Sequence, residues 1–185
     1  MPATTDKKPN VSIRNCEAGD MAAIQSIYAH YVENSLASFE EMPPSAEEMA
    51  NRRDIILQKN HPYIVAEMDG KVVGFAYAST FRPRSAYRFT VEDSIYVDPA
   101  AIGKGIGSAL IERLINICSE MGFHQMVAVI GGNENSYSIK LHERFGFVQA
   151  GILDDAGYKF ERWVNAIIMQ RSLVQITGED EEPTT

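Results

Sequence analysis

The sequence predicts one mixed α/β domain, an α+β arrangement around a mixed sheet, with about seven strands and four helices in the order β-α-α-β-β-β-α-β-α-β-β. Apolar residues recur at helical spacing in some segments and form short β-branched runs in others, and a central strand–turn–helix–strand unit predicts a right-handed parallel crossover. With 185 residues, 45% of them hydrophobic, the chain can bury one core. We expect a flexible N-terminus at 1–10, a single domain at 11–174 and an acidic, disordered tail at 175–185.

The first part of the chain predicts one strand and two helices. Residues 11–14 predict a short first strand. An apolar stripe at helical spacing then predicts an amphipathic helix, and it is formed by Met21, Ile24, Ile27, Tyr28 and Tyr31. The proline pair 43–44 interrupts the chain. Ser45, followed three residues later by Glu48, has the pattern of a capping box, so a second helix is expected from there to about residue 59.

Three strands are expected next. The apolar segments 63–68 and 72–79 flank the dipeptide Asp69-Gly70. Such a dipeptide between two apolar runs is a strong hairpin signal, because both of its residues accept a left-handed backbone. A third extended run, 88–97, ends at Asp98-Pro99.

The second half predicts two helices and three strands. The longer helix has an apolar face formed by Ile106, Leu110, Leu114, Ile117, Cys118 and Met121. Gly122 stands where this helix should end. The β-branched run 125–130 is typical of a strand buried on both faces. A short helix is expected at 135–144, and strands near 147–153 and 162–173 complete the domain.

Charge and composition argue against several functions. The net charge of -8 disfavours nucleic-acid binding. The start of the chain lacks the apolar stretch of a secretion signal, and no apolar run approaches the roughly 20 residues that span a bilayer. Cys16 and Cys118 form no disulfide framework, so we expect a cytoplasmic protein that is not membrane-bound. The four histidines show no metal-ligand spacing, and no metal site is expected.

The strongest functional signal is a strand, turn and helix over 95–114, with a glycine-rich turn at 103–108. Convergent backbone amides and a helix N-terminus suit a pyrophosphate, although a tight structural loop would explain the same glycines. Two common phosphate-binding motifs do not fit. Lys104 is followed by Gly105 and not by the Ser or Thr of a Walker A loop. The third glycine of a dinucleotide fingerprint is missing after Gly107.

The turn is similar to that of the GNAT-type N-acetyltransferase superfamily, whose Gln/Arg-x-x-Gly-x-Gly/Ala pattern binds the pyrophosphate of CoA. Gly105 and Gly107 match the two glycines. Asn135 and His142 match a later pair, and their spacing of seven places both on one helical face. The departure is Ile102, which stands where Gln or Arg is usual. This change removes one side-chain contact to CoA and leaves the amides of the turn in place.

Further runs carry a narrower resemblance, and these are 90–97 (TVEDSIYV), 127–130 (VAVI), 141–143 (LHE) and 156–160 (AGYKF), together with Trp163. They resemble phosphinothricin and methionine sulfone/sulfoximine N-acetyltransferases, and the resemblance covers 11–173. The resemblance implies a GNAT-like acyl-CoA N-acyltransferase fold and an enzyme that moves acetyl from acetyl-CoA to the amine of a small, amino-acid-like acceptor. It also suggests a homodimer.

The same resemblance implies the binding residues. For acetyl-CoA these are Ile95, Tyr96, Val97, Gly103, Lys104, Gly105, Ile106, Gly107, Ser108 and Asn135. For the acceptor they are Arg82, Pro83, Arg84, Glu92, Asp93, Ser94 and Lys159. Three further aromatic residues could form the pocket wall or simply belong to the core, and these are Phe39, Tyr158 and Trp163.

Glu92 is the candidate general base, and the resemblance implies the same role. An amine attacks a thioester only when it is neutral, and most amino-acid amines are protonated near pH 7. A carboxylate can take that proton directly or through one water; the alternative is that Glu92 is a surface strand residue. His142 could protonate the departing thiolate, contact CoA or only pack in its helix, and Tyr137 is a second candidate acid.

The alternation of side chains along 89–97 places an anomaly beside Glu92. Apolar residues occupy the odd positions Phe89, Val91, Ile95 and Val97. Asp93 interrupts that face, and a carboxylate on a core face is costly without partners. Either a β-bulge shifts the register near Asp93, or the face opens into a site. The resemblance implies the second option, with acetyl-CoA admitted between two separating strands and its thioester carbonyl polarised by backbone amides.

Two other functions stay open at this point. The same fold could acetylate another amine, such as a polyamine, an aminoglycoside or a protein N-terminus. It could also be a non-catalytic acyl-CoA-binding module, although the presence of Glu92 argues against this. Arg82 and Arg84 favour an anionic acceptor, because a guanidinium pairs with a carboxylate through two parallel hydrogen bonds. A solvated basic loop is the alternative explanation for both arginines.

Overall fold

The computed structural model describes residues 11–132 and 137–174. Its helices are α1 (Met21–Asn34), α2 (Ala46–Gln58), α3 (Ile106–Glu120) and α4 (Tyr137–Arg144). Its strands are β1 (Val11–Asn15), β2 (Tyr63–Met68), β3 (Lys71–Thr80), β4 (Thr90–Val97), β5 (Gln125–Gly131), β6 (Val148–Lys159) and β7 (Arg162–Ser172). The predicted order of strands and helices is confirmed. The predicted ends at 1–10 and 175–185 lie outside the described residues.

The seven strands form one mixed sheet in the order β1-β2-β3-β4-β5-β7-β6. β4 and β5 pair in parallel, as the central crossover predicts, and the other strand pairs are antiparallel. Helix α3 connects the two parallel strands and packs on β3, β2 and β4. Among the described helices, none is both long and apolar enough to cross a membrane.

Local sequence signals explain several of these boundaries. Ser45 caps α2, since its hydroxyl accepts a hydrogen bond from the Glu48 amide at 3.1 Å. The β2–β3 hairpin turns at Asp69 and Gly70, which have φ angles of 52° and 78°. Left-handed backbone at both turn residues gives the twist that a two-residue hairpin requires. Gly122 follows α3 with φ 81°, the left-handed conformation that commonly ends a helix.

Each face of the sheet carries its own core. On one face α3 buries Leu110, Ile111 and Leu114 against the strands. On the other face α1 and α2 cover an aromatic cluster in which the Phe75 ring stacks on Tyr96, with centroids 5.2 Å apart. The sheet therefore separates the molecule into an α3 side and an α1/α2 side.

Two strand predictions need correction. β4 begins at Thr90 and not at residue 88, because a short 3-10 turn at Ser85–Tyr87 keeps Arg88 in a helical conformation as its cap. β6 continues to Lys159, well past the predicted end at 153. Its register shifts between Leu153 and Gly157 around Asp155, whose φ is 50°, so an irregularity lets the strand continue through polar residues.

Candidate active site

The parallel strands β4 and β5 separate partway along their length. They pair at Thr90, Val91 and Glu92, and Glu92 lies opposite Val127 in the last pair. Beyond that point β4 stays paired with β3 through Val97, without a shift in register. The β-bulge alternative at Asp93 is therefore wrong, and the second alternative is correct: the sheet opens between β4 and β5.

The opening leads into a cleft of about 890 Å³. Asp93, Ser94, Ile95, Tyr96 and Val97 line it from β4. The end of β5, the start of α3 and one side of α4 form the other walls. Residues 35–37, which follow α1, also line the cleft. The cleft is long enough to reach from the glycine-rich turn to the point where the strands part.

The glycine-rich turn forms one end of this cleft. Gly103 and Gly105 have φ angles of 81° and 82°, a backbone that only glycine adopts readily, and open space lies where their Cβ atoms would be. Gly105 immediately precedes α3, so the N-terminus of that helix faces the same end of the cleft. Ile106, Gly107 and Ser108 also line the cleft, whereas Lys104 is exposed and does not.

Asp93 and His142 form a buried pair on the α3 side of β4. His142 Nε2 lies 3.0 Å from Asp93 Oδ2, and the two side chains are 4% and 2% exposed. His142 Nδ1 lies 2.7 Å from the Ser138 carbonyl oxygen. Asp93 Oδ1 is buried and has no hydrogen-bond partner among the described residues. Both residues line the cleft, so an unsatisfied buried acceptor lies in its wall.

The environment of His142 favours its protonated form. Each ring nitrogen faces an acceptor, and an imidazolium donates from both nitrogens. Burial lowers the pKa of His142, but the hydrogen bond and charge of Asp93 and the Ser138 carbonyl outweigh burial and raise this pKa above its ordinary value. The pair therefore holds a shared proton at the wall of the cleft.

Glu92 points to the opposite side of the sheet from Asp93, because side chains alternate along a strand. It is half-buried and lies opposite Ser79 of β3. Burial raises the pKa of Glu92, and the negative charge of Asp93 raises it further, whereas Arg82 lowers it. A half-buried carboxylate with a raised pKa beside the parting of two strands can serve as a proton acceptor.

The segment 35–41 between α1 and α2, here called the strap, crosses the opening on the α1/α2 side. The Tyr96 hydroxyl of β4 donates to the Ala37 carbonyl at 3.4 Å. Lys159 of β6 is 2% exposed and donates to the carbonyls of Ser35 and Ser38 at 3.0 and 2.6 Å. Burial lowers the pKa of Lys159, partly offset by the charges of Glu41 and Glu40. Lys159, expected at the acceptor, thus has two of its three protons bonded to the strap.

A second, smaller hollow of about 340 Å³ lies beside the β3–β4 connection. Its wall includes Arg82, Pro83 and Arg84, which were expected at the acceptor. Lys59 and Arg88 add two more cationic groups. The hollow is separate from the main cleft, but Arg82 is close enough to lower the pKa of Glu92. The charge of Arg82 in the hollow therefore acts on Glu92.

The remaining expected residues divide between the cleft and other places. Tyr137 lies at the cleft and is 89% exposed. Tyr158 and Trp163 form an exposed edge-to-face pair on the β6–β7 hairpin and do not line the cleft. Phe39 belongs to the strap, and Asn135 lies outside the described residues.

Sequence reasoning missed several residues that the fold brings to the cleft. Tyr31 belongs to the apolar stripe of α1, and its hydroxyl donates to the Val97 carbonyl at 2.6 Å. Lys140 and Arg144 of α4 place two cations on the cleft wall, and Arg144 reaches Ser108 in the first turn of α3. Helical spacing from His142 could not have indicated these two, because residues two positions apart point to nearly opposite sides of a helix. Of the strap, sequence reasoning indicated Phe39 alone.

Comparisons with known proteins agree with this geometry. The sequence profile of the Acetyltransferase (GNAT) family matches residues 24–147. A phosphinothricin N-acetyltransferase of Alcaligenes faecalis is 48% identical over 162 residues, 88% of this chain and 82% of the relative. An L-methionine sulfoximine/L-methionine sulfone acetyltransferase of Salmonella typhimurium is 34% identical over 170 residues, 92% of this chain and 99% of the relative.

A solved structure shows the same fold with a ligand. The phosphinothricin acetyltransferase of Sinorhizobium meliloti, crystallised in complex with acetyl-CoA, superposes with a TM-score of 0.87 at 47% identity, covering 94% of this chain and 93% of the other. The separating parallel strands, the glycine-rich turn before α3 and the match to the family profile lead to one conclusion. This chain belongs to the GNAT family of acetyltransferases, enzymes whose acetyl donor is acetyl-CoA.

Proposed function

We propose that this enzyme transfers acetyl from acetyl-CoA to the amine of a small, amino-acid-like acceptor of the phosphinothricin or methionine sulfone/sulfoximine type. The observation that carries the proposal is the separation of β4 and β5 directly after Glu92. It sets a half-buried carboxylate beside a cleft large enough for the donor. The names of the relatives with 48% and 34% identity support the choice of acceptor.

The described residues fit acetyl-CoA. Gly103 and Gly105 leave open space at the turn, and the α3 N-terminus with Arg144 supplies positive potential for a pyrophosphate. Asn135, which the resemblance places with them, remains part of this proposal. The backbone of Ile95, Tyr96 and Val97 lies beyond the last β4–β5 pair, so its edge toward β5 is not bonded to that strand and can bond an extended arm. The Val97 carbonyl already accepts from the Tyr31 hydroxyl. Bound there, acetyl-CoA supplies the activated acetyl thioester.

Glu92 accepts the proton that the acceptor amine loses as it attacks. Its raised pKa brings its basicity closer to neutral pH, where a general base is most effective. The carboxylate is half-buried, so it is partly shielded from bulk water. A positioned base of this kind contributes about 10²–10⁴-fold to the rate.

His142, with Asp93, donates the proton that the departing sulfur of CoA needs. When the carbon–sulfur bond breaks and the carbon–nitrogen bond forms, the sulfur of CoA keeps the electron pair and needs a proton. The Asp93–His142 pair holds one at the cleft, and passing it to sulfur leaves a neutral imidazole beside the carboxylate. Glu92 and the Asp93–His142 pair lie on opposite sides of β4. The proton of the amine is therefore accepted on one face of the sheet, and the proton for the sulfur is donated on the other.

The basic hollow holds the anionic part of the acceptor. Arg82, with Arg84 and Pro83 beside it, lies close enough to influence Glu92, so an acceptor bound through its carboxylate or phosphinate places its amine toward that base. Ser94 faces the same side of β4 as Glu92 and continues the path into the cleft. Four cationic groups around the hollow disfavour a polyamine or an aminoglycoside.

The assembly is proposed to be a cytoplasmic homodimer of one domain per chain, residues 11–174. The edge strand β6 and its partner β7 expose large apolar side chains, and these are Val148, Ile152, Leu153, Tyr158 and Trp163. An exposed apolar patch on a long edge strand is a common site of association. Buried, unpaired Cys16 and Cys118 suit a reducing compartment.

A CoA-release assay tests the proposed function. The purified chain is supplied with acetyl-CoA and, in separate reactions, phosphinothricin, methionine sulfone, methionine sulfoximine, spermidine and an aminoglycoside. We expect release with the first three and little with the two polycations. Release with spermidine alone would assign the enzyme to another amine. No release with any amine, despite tight acetyl-CoA binding by calorimetry, would indicate a non-catalytic module.

A further inference from the structure

The strap is held in place by contacts that the binding of acetyl-CoA does not require. It is held from three directions, by Tyr96 of β4, by Lys159 of β6 and by side chains of α1 and α2. From the helices, the Tyr28 hydroxyl bonds both Ser38 and Glu40, at 2.9 and 2.8 Å. Arg52 of α2 bonds the same Glu40 at 2.6 Å. The strap, seven residues without regular structure, is therefore held at Ser35, Ala37, Ser38 and Glu40.

Two glycines let the strap lie flat on the sheet. A Cβ atom at Gly131 would clash with the Leu36 carbonyl and lie 2.7 Å from a ring carbon of Phe39. A Cβ atom at Gly157 would lie 3.2 Å from that ring. Neither residue is among the glycines with positive φ, so backbone conformation does not require glycine at either position. The small size of both residues instead makes room for the strap.

Burial of the Lys159 ammonium group is an energetically unfavourable way to hold a loop in place. Its ammonium group is buried and bonds two neutral carbonyls, with no carboxylate within salt-bridge distance among the described residues. Burying a cation without a direct counter-ion is generally less favourable than burying an apolar side chain of similar size. A residue chosen for stability alone would therefore be apolar, which indicates a positional role for the charge.

We propose that Lys159 is a positioning residue that holds the strap closed over the β4–β5 opening, and that the closed strap limits the acceptor to small amines. Glu92, Ser94 and Tyr96 face the α1/α2 side of β4, the side that the strap covers. An amine that reaches Glu92 must approach from that side. A strap held in this position would obstruct an acceptor whose chain continues beyond a single amino acid. This inference rests on the proposed function, because it assumes that Glu92 marks the acceptor side.

Lys159→Met is the main test, since methionine matches the length of the side chain and removes its charge. Two acceptors are compared, methionine sulfone and a tetrapeptide that begins with methionine sulfone. We expect the ratio of kcat/KM for the tetrapeptide to kcat/KM for the amino acid to rise about tenfold, the worth of one charge-assisted contact. Lys71→Met, on the exposed β2–β3 hairpin, is the matched control and should keep the ratio within about twofold.

Gly131→Ala perturbs the strap from the opposite side, without touching Lys159. Its methyl group must displace Leu36 and Phe39, so the ratio should rise in the same direction. Hydrogen exchange measured by mass spectrometry should be faster for peptides covering 35–41 in both variants, at unchanged melting temperature for Lys159→Met. An unchanged ratio in both variants, or equal loss of activity on both acceptors with a lower melting temperature, would overturn the proposal.

The exchange measurement separates this inference from the proposed function. If the wild-type enzyme acetylates neither acceptor but the strap exchanges faster in Lys159→Met, the proposed acceptor is wrong and the positioning role of Lys159 stands. If the wild-type enzyme acetylates methionine sulfone and strap exchange is the same in both proteins, the proposed function stands and the role of Lys159 is refuted.

Discussion

Replacing Glu92 with glutamine should lower kcat at pH 7 by about 100-fold or more while leaving acetyl-CoA binding nearly unchanged. Glutamine keeps the shape of the side chain in its half-buried position opposite Ser79 and Val127, but it cannot accept a proton. A 100-fold loss corresponds to about 2.7 kcal/mol of transition-state stabilisation. The donor is expected to bind beyond Glu92, along the cleft and at the glycine-rich turn, so its affinity should not depend on this carboxylate.

The pH dependence of the deficit identifies the missing proton acceptor. At pH 7 roughly a tenth of an α-amine with a pKa near 8 is neutral, and at pH 9 most of it is. The variant can use amine that solvent has already deprotonated, so its deficit should shrink by up to about tenfold over that range. The assay is CoA release with saturating acetyl-CoA and methionine sulfone, between pH 6 and pH 9.5.

Glu112→Gln is the matched control, because Glu112 is exposed on α3 and does not line the cleft. It should retain wild-type kcat at every pH. A Glu92→Gln enzyme with near-normal kcat at pH 7 would refute the assignment of Glu92 as base. A deficit that stays constant from pH 6 to pH 9.5, or one accompanied by equal loss of acetyl-CoA affinity, would assign Glu92 a structural role.

Three other changes test the donor site, the acceptor site and the dimer. Ile102→Gln, in the exposed turn at the cleft, should tighten acetyl-CoA binding by about 0.5–1.5 kcal/mol in calorimetry, whereas Ile55→Gln on α2 should not. Equal affinity in Ile102→Gln and the wild-type enzyme would mean that the turn lacks the expected contact. Arg82→Ala should raise KM for an anionic acceptor about tenfold and KM for acetyl-CoA little, unlike Arg113→Ala on α3; parallel increases would indicate a folding defect. Trp163→Lys should convert a dimer to a monomer in light scattering, and a persistent dimer would place the interface elsewhere.

The elements that were predictable from sequence are those whose signals are local. Asp69-Gly70 specifies its turn through two backbone angles, and Ser45 caps α2 through one hydrogen bond three residues away. The parallel pairing of β4 with β5 follows from the intervening helix. Each of these depends on neighbouring residues, so a single sequence contains the information.

The β6–β7 hairpin shows where local signals fail. Its turn uses Phe160 and Glu161 at φ 52° and 57°, a backbone in which bulky residues are uncommon. Asp155 interrupts β6, but Asn165 of β7 accepts a hydrogen bond from its amide at 3.0 Å. Pairing with a neighbouring strand therefore stabilises conformations that the residues themselves disfavour. For this reason the prediction from sequence propensity placed the end of β6 too early.

The candidate site could likewise be predicted from the sequence only in part. The interruption of the apolar face at Asp93 was visible in the sequence, and the open cleft and buried carboxylate account for it. Its partner His142 lies 49 residues away. The contact of Lys159 with the strap spans 121 and 124 residues. Long-range contacts of this kind depend on the completed sheet, so the anomaly could be predicted but its partners could not.

The two acidic residues at the opening are coupled, and Asp93→Asn should therefore move both limbs of the pH profile. Asp93 raises the pKa of Glu92 and also that of His142, so removing its charge lowers both. The acidic limb of kcat/KM reports a base that must be deprotonated, and it should shift to lower pH. The alkaline limb reports an acid that must be protonated, and it should also shift to lower pH as His142 loses its counter-ion. Asparagine keeps the shape of the side chain, so a change in packing alone would scale the profile without moving it. If only the acidic limb moves, Asp93 acts on Glu92 through its charge and His142 gives no proton to the departing sulfur.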